Sequence, residues 1–281
     1  MTRAWKALVI PLHQGRAVTS VAPIDRPDPY SWTLHLEASL PVVALAIAYS
    51  IAVRGHRTDL WRVVAFGAGC TLLLATAVTP LDALTYHLLS AHLLQNVVLA
   101  EWAPALLVLG VPPALAVGIA GVRAIRLLTF PPVALGLWLT TYFLWHLPAL
   151  YDAALENSVL LHLEHVCYLA AGTLLWWPVL QDAPHHLSNA ARALYMFVAF
   201  VLASPIGLLL ALLPEPVYDW YVEGGGLWGL SPHADQQLAG VTMSVEQAIV
   251  FFAVFAIFFF RFLAEEEAGP QAEQKMGRSA Y

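Results

Sequence analysis

Tyr86–Pro113 has the length and apolarity of a membrane-spanning helix, yet it carries His87, His92, Gln95, Asn96 and Glu101. Polar and titratable groups are costly in hydrocarbon, so groups of this kind inside a span mark a functional site and require partners from other spans. Whatever this chain folds into must therefore surround one polar helix with others that can satisfy it. The composition agrees with a membrane setting. Of 281 residues 59% are hydrophobic and 11% are charged, with a mean hydropathy of +0.68, against about 25% charged in a soluble domain.

Seven apolar stretches are long enough to cross a bilayer, near residues 33–53, 61–80, 84–110, 131–151, 158–180, 193–213 and 238–262, at roughly 20 helical residues per crossing. The fold class is all-α: a polytopic membrane protein of seven transmembrane helices. Three regions follow, namely an extended, polar, Pro-rich lead-in over 1–32, a membrane domain over 33–262 and an acidic tail over 263–281. Ten Trp and ten Tyr suit a chain with two membrane interfaces, and Trp176-Trp177 at the end of the fifth span reads as part of an aromatic belt. The amino-terminal residues do not read as a cleavable signal.

Orientation follows from the basic residues of the short loops. Arg54, Arg57, Arg62, Arg123, Arg126, Arg192 and Arg261 fall on one side, and Asp82, Asp152, Glu156, Glu215, Asp219, Glu223 and Asp235 on the other. The bias places the amino terminus outside and the carboxyl terminus in the cytoplasm of a plasma membrane. His35, His87, His92, His146, His162, His165 and His233 then belong to the outer half, whereas His56, His185 and His186 lie in cytoplasmic loops. At a rise of 1.5 Å per residue, His92, His146, His162 and His165 fall within roughly 5–15 Å of the outer boundary. Glu246 of the last span reaches a similar depth.

His162 and His165, three apart on a helix, share a face, while Glu164 between them is expected to point roughly away, toward another helix or the interface. Joined by His92 and His146, they form a nitrogen set suited to copper, zinc or iron. The other reading is a network of histidines bonded to one another, to tyrosines and to the backbone. Asp235, in SPHADQQLAG, is either part of a polar helix entry, with Ser231 or Asp235 as cap, or a group that closes over the site. Cys70 and Cys167 lie in separate apolar segments and imply no disulfide framework. No GxSxG, Walker or dinucleotide motif and no basic run suggesting nucleic acid is present, so no catalytic residue is assigned.

SAHLLQN followed by APALLVLGVPP, then WHLPALYDAALEN, LHLEHVCYLAAGTLLWWPVL and GLSPHADQQLAG, together resemble the seven-helix CtaG family of bacterial cytochrome c oxidase assembly factors. The resemblance covers about residues 80–262. It implies a multi-pass protein of the bacterial plasma membrane that works with a terminal oxidase subunit or its assembly machinery, by handling copper for the oxidase metal centre. His92, His146, His162, His165 and Asp235 match the family's histidines and aspartate. Asn96 stands where the family has a second histidine, and Ser244, Glu246 and Gln247 replace a family Met-Trp-x-Pro-Gly segment of which Met243 is kept. This departure implies either one fewer ligand, with Glu246 or Met243 in compensation, or a diverged member with another metal or partner. Two other functions fit the same residues: a membrane-embedded zinc hydrolase acting on lipid, and a redox protein handling haem or quinone through histidines on facing helices.

Overall fold

A computed structural model describes residues 26–279, with side chains to residue 268. Residues 1–25 of the expected lead-in, and the side chains of most of the expected tail, lie outside the described residues. The described residues are helical, 79% helix with no strand. Helix α1 (Leu36–Val53) is followed by α2 (Leu60–Val78), the short α3 (Pro80–Thr85) and α4 (Leu89–Gly110). Short helices α5 (Pro113–Ala120) and α6 (Arg123–Leu128) lead to α7 (Pro131–Trp145) and α8 (Pro148–Glu156). Then come α9 (Ser158–Leu180), α10 (Asn189–Leu212), the short α11 (Asp219–Gly224) and α12 (Pro232–Ser279).

Among the described residues six helices are long and apolar enough to span a membrane, or seven if α7 and α8 count as one bent span. The expected fifth span coincides with α9. The expected fourth is broken: α7 and α8 meet at 74°, because Pro148 has no N–H to continue the helix and disfavours helical geometry in the residue before it. His146 lies at that corner, and its carbonyl accepts a hydrogen bond from Tyr218 Oη at 3.2 Å. The seventh helix runs past the expected boundary, starting at Pro232 and continuing to Ser279.

Helix α4 is the centre of the bundle. In its most apolar window 72% of residues are buried, against 17% for α1 and 33% for α2 and α9. Its middle departs from α-helical geometry for a physical reason. Pro104 cannot donate to the carbonyl of Ala100, and its ring crowds that carbonyl. The chain widens into a π-helical turn over Val98–Trp102, closed by a bond from the Ala103 N–H to the Val98 carbonyl. Such turns cluster at functional positions. Helix α9 crosses here at close range: a Cβ on Gly172 would overlap the Ala100 carbonyl and meet Pro104 Cγ at 2.9 Å. Helices α10 and α12 use the same device. A side chain at Gly207 would collide with Ser244 Oγ, and one at Gly240 with the backbone of Ala211 and Gly207. With no hydrophobic drive between helices in lipid, small residues let the backbones approach and gain dispersion contacts.

Trp176 and Trp177 differ from the expected aromatic belt. They are 1% and 7% exposed, and Trp176 packs edge-on against Phe251 of α12 with ring centroids 5.8 Å apart. Trp177 Nε1 donates to the Ala183 carbonyl at 2.7 Å. At this end of the bundle Arg62 donates to the carbonyls of Leu109 and Val111 at 3.0 and 2.9 Å, and Arg192 pairs with Asp182.

Gly172→Ala should lower the thermal midpoint in detergent, since overpacking costs about 1–3 kcal/mol. Gly67→Ala, where an added Cβ meets nothing within 4 Å, should leave it unchanged or raised. Equal effects in the two variants would contradict the close-packed crossing.

Candidate functional site

The polar residues of α4 find their partners in other helices, as membrane burial requires. His92 is fully buried. Its Nδ1 lies 3.1 Å from Tyr221 Oη, and that hydroxyl spends its proton on the Thr85 carbonyl at 2.7 Å. The tyrosine oxygen can then only accept, so His92 is protonated on Nδ1 and its Nε2 carries the lone pair. His146 is fixed in the same way. Its Nδ1 lies 2.7 Å from the Tyr142 carbonyl, an obligate acceptor, which again leaves Nε2 unprotonated. Metal-ligating histidines in general have the far ring nitrogen anchored like this.

Tyr151 of α8 separates the two imidazoles, with ring centroids 4.8 Å from His92 and 6.4 Å from His146. His165 of α9 comes edge-on to His92 at 6.5 Å. The Nε2 atoms of His92, His146 and His165 are all buried, and none has a hydrogen-bond partner among the described residues. Among those residues no three or more His, Cys, Asp or Glu side chains stand as a ready-made metal shell.

Glu164, read from the sequence as pointing away from the paired histidines toward another helix or the interface, does face another helix, α4, and joins the site. It is fully buried, its Oε1 accepts from Asn96 Nδ2 at 3.0 Å and lies 3.7 Å from His92 Nε2. Leu161, Glu164, Tyr168, Ala171 and Leu175 form the buried stripe of α9, at i, i+3, i+7, i+10 and i+14 spacing, which is one helical face. That stripe was readable in the sequence. The shared spacing of His162 and His165 instead drew attention to its flank. Asn96, the departure from the resembling family, is thus the donor that holds Glu164 beside His92.

His162 lies apart from the other three. Its Nδ1 donates to the Ser158 carbonyl at 2.5 Å, and its Nε2 is 3.7 Å from Glu37 of α1. His35 joins this more exposed group, 3.2 Å from both Glu37 and Asp82. Burial pushes the Asp82 carboxyl up from its ordinary value, and the facing His35 opposes that shift.

Asp235 lies at the start of α4. Leu88 gives α4 no side-chain cap, and Asp235 fills that place from α12. It accepts from Leu89 N–H at 2.6 Å, Ser90 N–H at 3.2 Å and Ser90 Oγ at 2.5 Å. A carboxylate there meets both the free amides and the positive end of the helix. Ser231 caps its own helix, accepting from the Ala234 N–H at 3.2 Å. Glu246 and Met243 do not join the histidines: Glu246 accepts from Trp102 Nε1 at 2.5 Å, and Met243 is part of the apolar core.

Asp235→Ala should lower stability by about 1–3 kcal/mol, because it strands buried amide donors, and Asp235→Asn should lower it less. A thermal midpoint in Asp235→Ala equal to that of the wild type would remove the capping role.

The comparisons with known proteins bear on this arrangement. The chain is 23% identical, over 243 residues, to an uncharacterized protein of Mycobacterium bovis and to one of Mycobacterium tuberculosis. Each match takes in 76% of this chain but 37% of the relative, so the chain spans well under half the length of the curated relatives it matches. No solved structure matches. The model of the cytochrome c oxidase caa3 assembly factor family, Caa3_CtaG, matches residues 44–265, which is most of the chain and the whole polar core around α4, and the chain belongs to that family.

Proposed function

We propose that this protein supports cytochrome c oxidase assembly by holding a copper ion as cargo at the buried polar cluster of His92, His146, His165 and Glu164. The observation that carries the reading is the trio of buried imidazole Nε2 atoms with no hydrogen-bond partner among the described residues. Two of them are forced by their anchors to present a lone pair. A buried acceptor left unmatched costs about 1–3 kcal/mol, and a cation at His92 Nε2, beside the Glu164 carboxylate, supplies a missing partner. Imidazole nitrogen suits copper, and a carboxylate adds charge. Ligation by two imidazoles requires His165 to turn toward His92 from its present edge-on position.

His162 with His35, Glu37 and Asp82 lies nearer the solvent, on the acidic-loop side of the bundle, and acts as the entrance rather than the buried cluster. The bias of loop arginines to the opposite ends of the helices supports reading the histidine cluster as facing the outside of a bacterial plasma membrane, where an oxidase subunit would receive the metal. Asp235 serves the site indirectly by fixing the start of α4.

The test is copper bound per protein after loading the purified protein under reducing conditions and removing free metal. His92→Ala and His146→Ala should each lose the bound copper, and His162→Ala should keep it. Tyr221→Phe, which removes the anchor of His92, should weaken binding on the order of 10–100-fold, the usual effect of losing such an outer partner. Equal copper in the wild type and in both buried-cluster variants would overturn the proposal, as would preferential retention of zinc. Complementation of an oxidase-deficient deletion strain by the same variants should follow the copper content.

A further inference from the structure

A second polar centre lies along α4 at its π-helical turn, away from the histidines. Glu101 of that turn is 1% exposed, Glu246 of α12 is 8% and Gln247 is 1%. Glu101 and Glu246 face the same α4–α12 contact, since Trp102, next to Glu101, bonds Glu246, and Gln247, next to Glu246, bonds Glu101. Trp102 Nε1 donates to Glu246 Oε1 at 2.5 Å. Gln247 Nε2 donates both to Glu101 Oε1 at 3.0 Å and to Tyr142 Oη at 3.1 Å. After these bonds Glu101 Oε2, Glu246 Oε2 and Gln247 Oε1 remain buried with no partner among the described residues. All three are acceptors.

The titratable neighbours are Tyr142 of α7, beside Glu101, and Cys70 of α2 and Tyr168 of α9, which share an apolar cluster with Val98–Ala100 of the turn. The ion pairs formed by the described residues include neither carboxyl. Two neighbouring carboxylates buried in hydrocarbon, with no cation opposite, cannot both be ionised. We infer that Glu101 and Glu246 form a proton-binding pair inside the membrane, one carboxylic acid hydrogen-bonded to one carboxylate. A single proton supplies the missing donor, and Trp102 and Gln247 stabilise the remaining charge. The π-helical turn and Pro104 that follow from the local sequence set Glu101 and Trp102 against α12. Tyr142 connects the pair to the histidine cluster, since its hydroxyl accepts from Gln247 and its carbonyl accepts from His146.

Infrared spectroscopy of the full chain in lipid, compared with Glu101→Gln/Glu246→Gln, tests the pair. At neutral pH the wild type should show a protonated-carboxyl C=O stretch that deuterium exchange shifts and the double variant lacks, with copper content the same in both. Copper loss in the histidine variants and band loss in this one are separate readouts, so either proposal can fail alone. Labelling of the wild type with a hydrophobic carbodiimide, which reacts with protonated carboxyls in apolar surroundings, covers the case of a misfolded variant. An adduct on Glu101 or Glu246 is the expected result. A spectrum in which the substitutions remove no protonated band, or a wild type modified at neither carboxyl, overturns the inference.

Discussion

Hydrocarbon offers no hydrogen bonds, so each polar group on α4 must be matched by another part of the same protein. That constraint organises the bundle. Gln95 Nε2 donates to the Thr76 carbonyl of α2 at 2.9 Å, Asn96 reaches Glu164 of α9, His92 reaches Tyr221 of α11, and Glu101 reaches Gln247 of α12. Because these partners come from four other helices, moving any one of them would leave a buried group unmatched on α4. The small-residue crossings at Gly172, Gly207 and Gly240 make the matching possible, since they bring backbones close enough for short side chains to meet.

The exceptions to this matching are as informative as the rule. Most buried polar groups in folded proteins are hydrogen-bonded, yet among the described residues acceptor atoms remain unmatched along α4, at the histidine cluster and the carboxyl pair among other places such as Gln95 Oε1. At the histidine cluster they include the imidazole nitrogens of His92 and His146, whose tautomers follow from Tyr221 and Tyr142, together with His165 Nε2 and Glu164 Oε2. At the π-helical turn they are oxygens of carboxyl and amide groups. A metal cation suits the first chemistry and a proton the second. The family to which the chain belongs is described by oxidase assembly, and the buried His92 imidazole of this chain stands beside the buried Glu164 carboxylate.

Much of this was legible in the sequence and some was not, for physical reasons. Spans show themselves through sustained apolarity, so α9 was located to the residue and α1 and α2 to within a few. The break at His146 was implied by Pro148, but apolarity continues across it and concealed the bend. Glu164 was misdirected by reading the His162–His165 spacing as the inward face, when the larger stripe through Leu161, Tyr168 and Leu175 sets that face. The role of Asp235 could not be read locally, because the amides it caps belong to a helix 146 residues away in sequence. Trp176 and Trp177 match the composition of an interface belt, and only tertiary packing shows that they are buried.

The account depends most directly on the protonation of two rings. Nitrogen NMR of the metal-free protein with isotope-labelled histidine, assigned by His92→Ala and His146→Ala, reports which ring nitrogen carries hydrogen. The account predicts that both residues are neutral, protonated on Nδ1, with an unprotonated Nε2 that changes its chemical shift on addition of copper. Protons found on Nε2 of His92 and His146, unmoved by the metal, would contradict it.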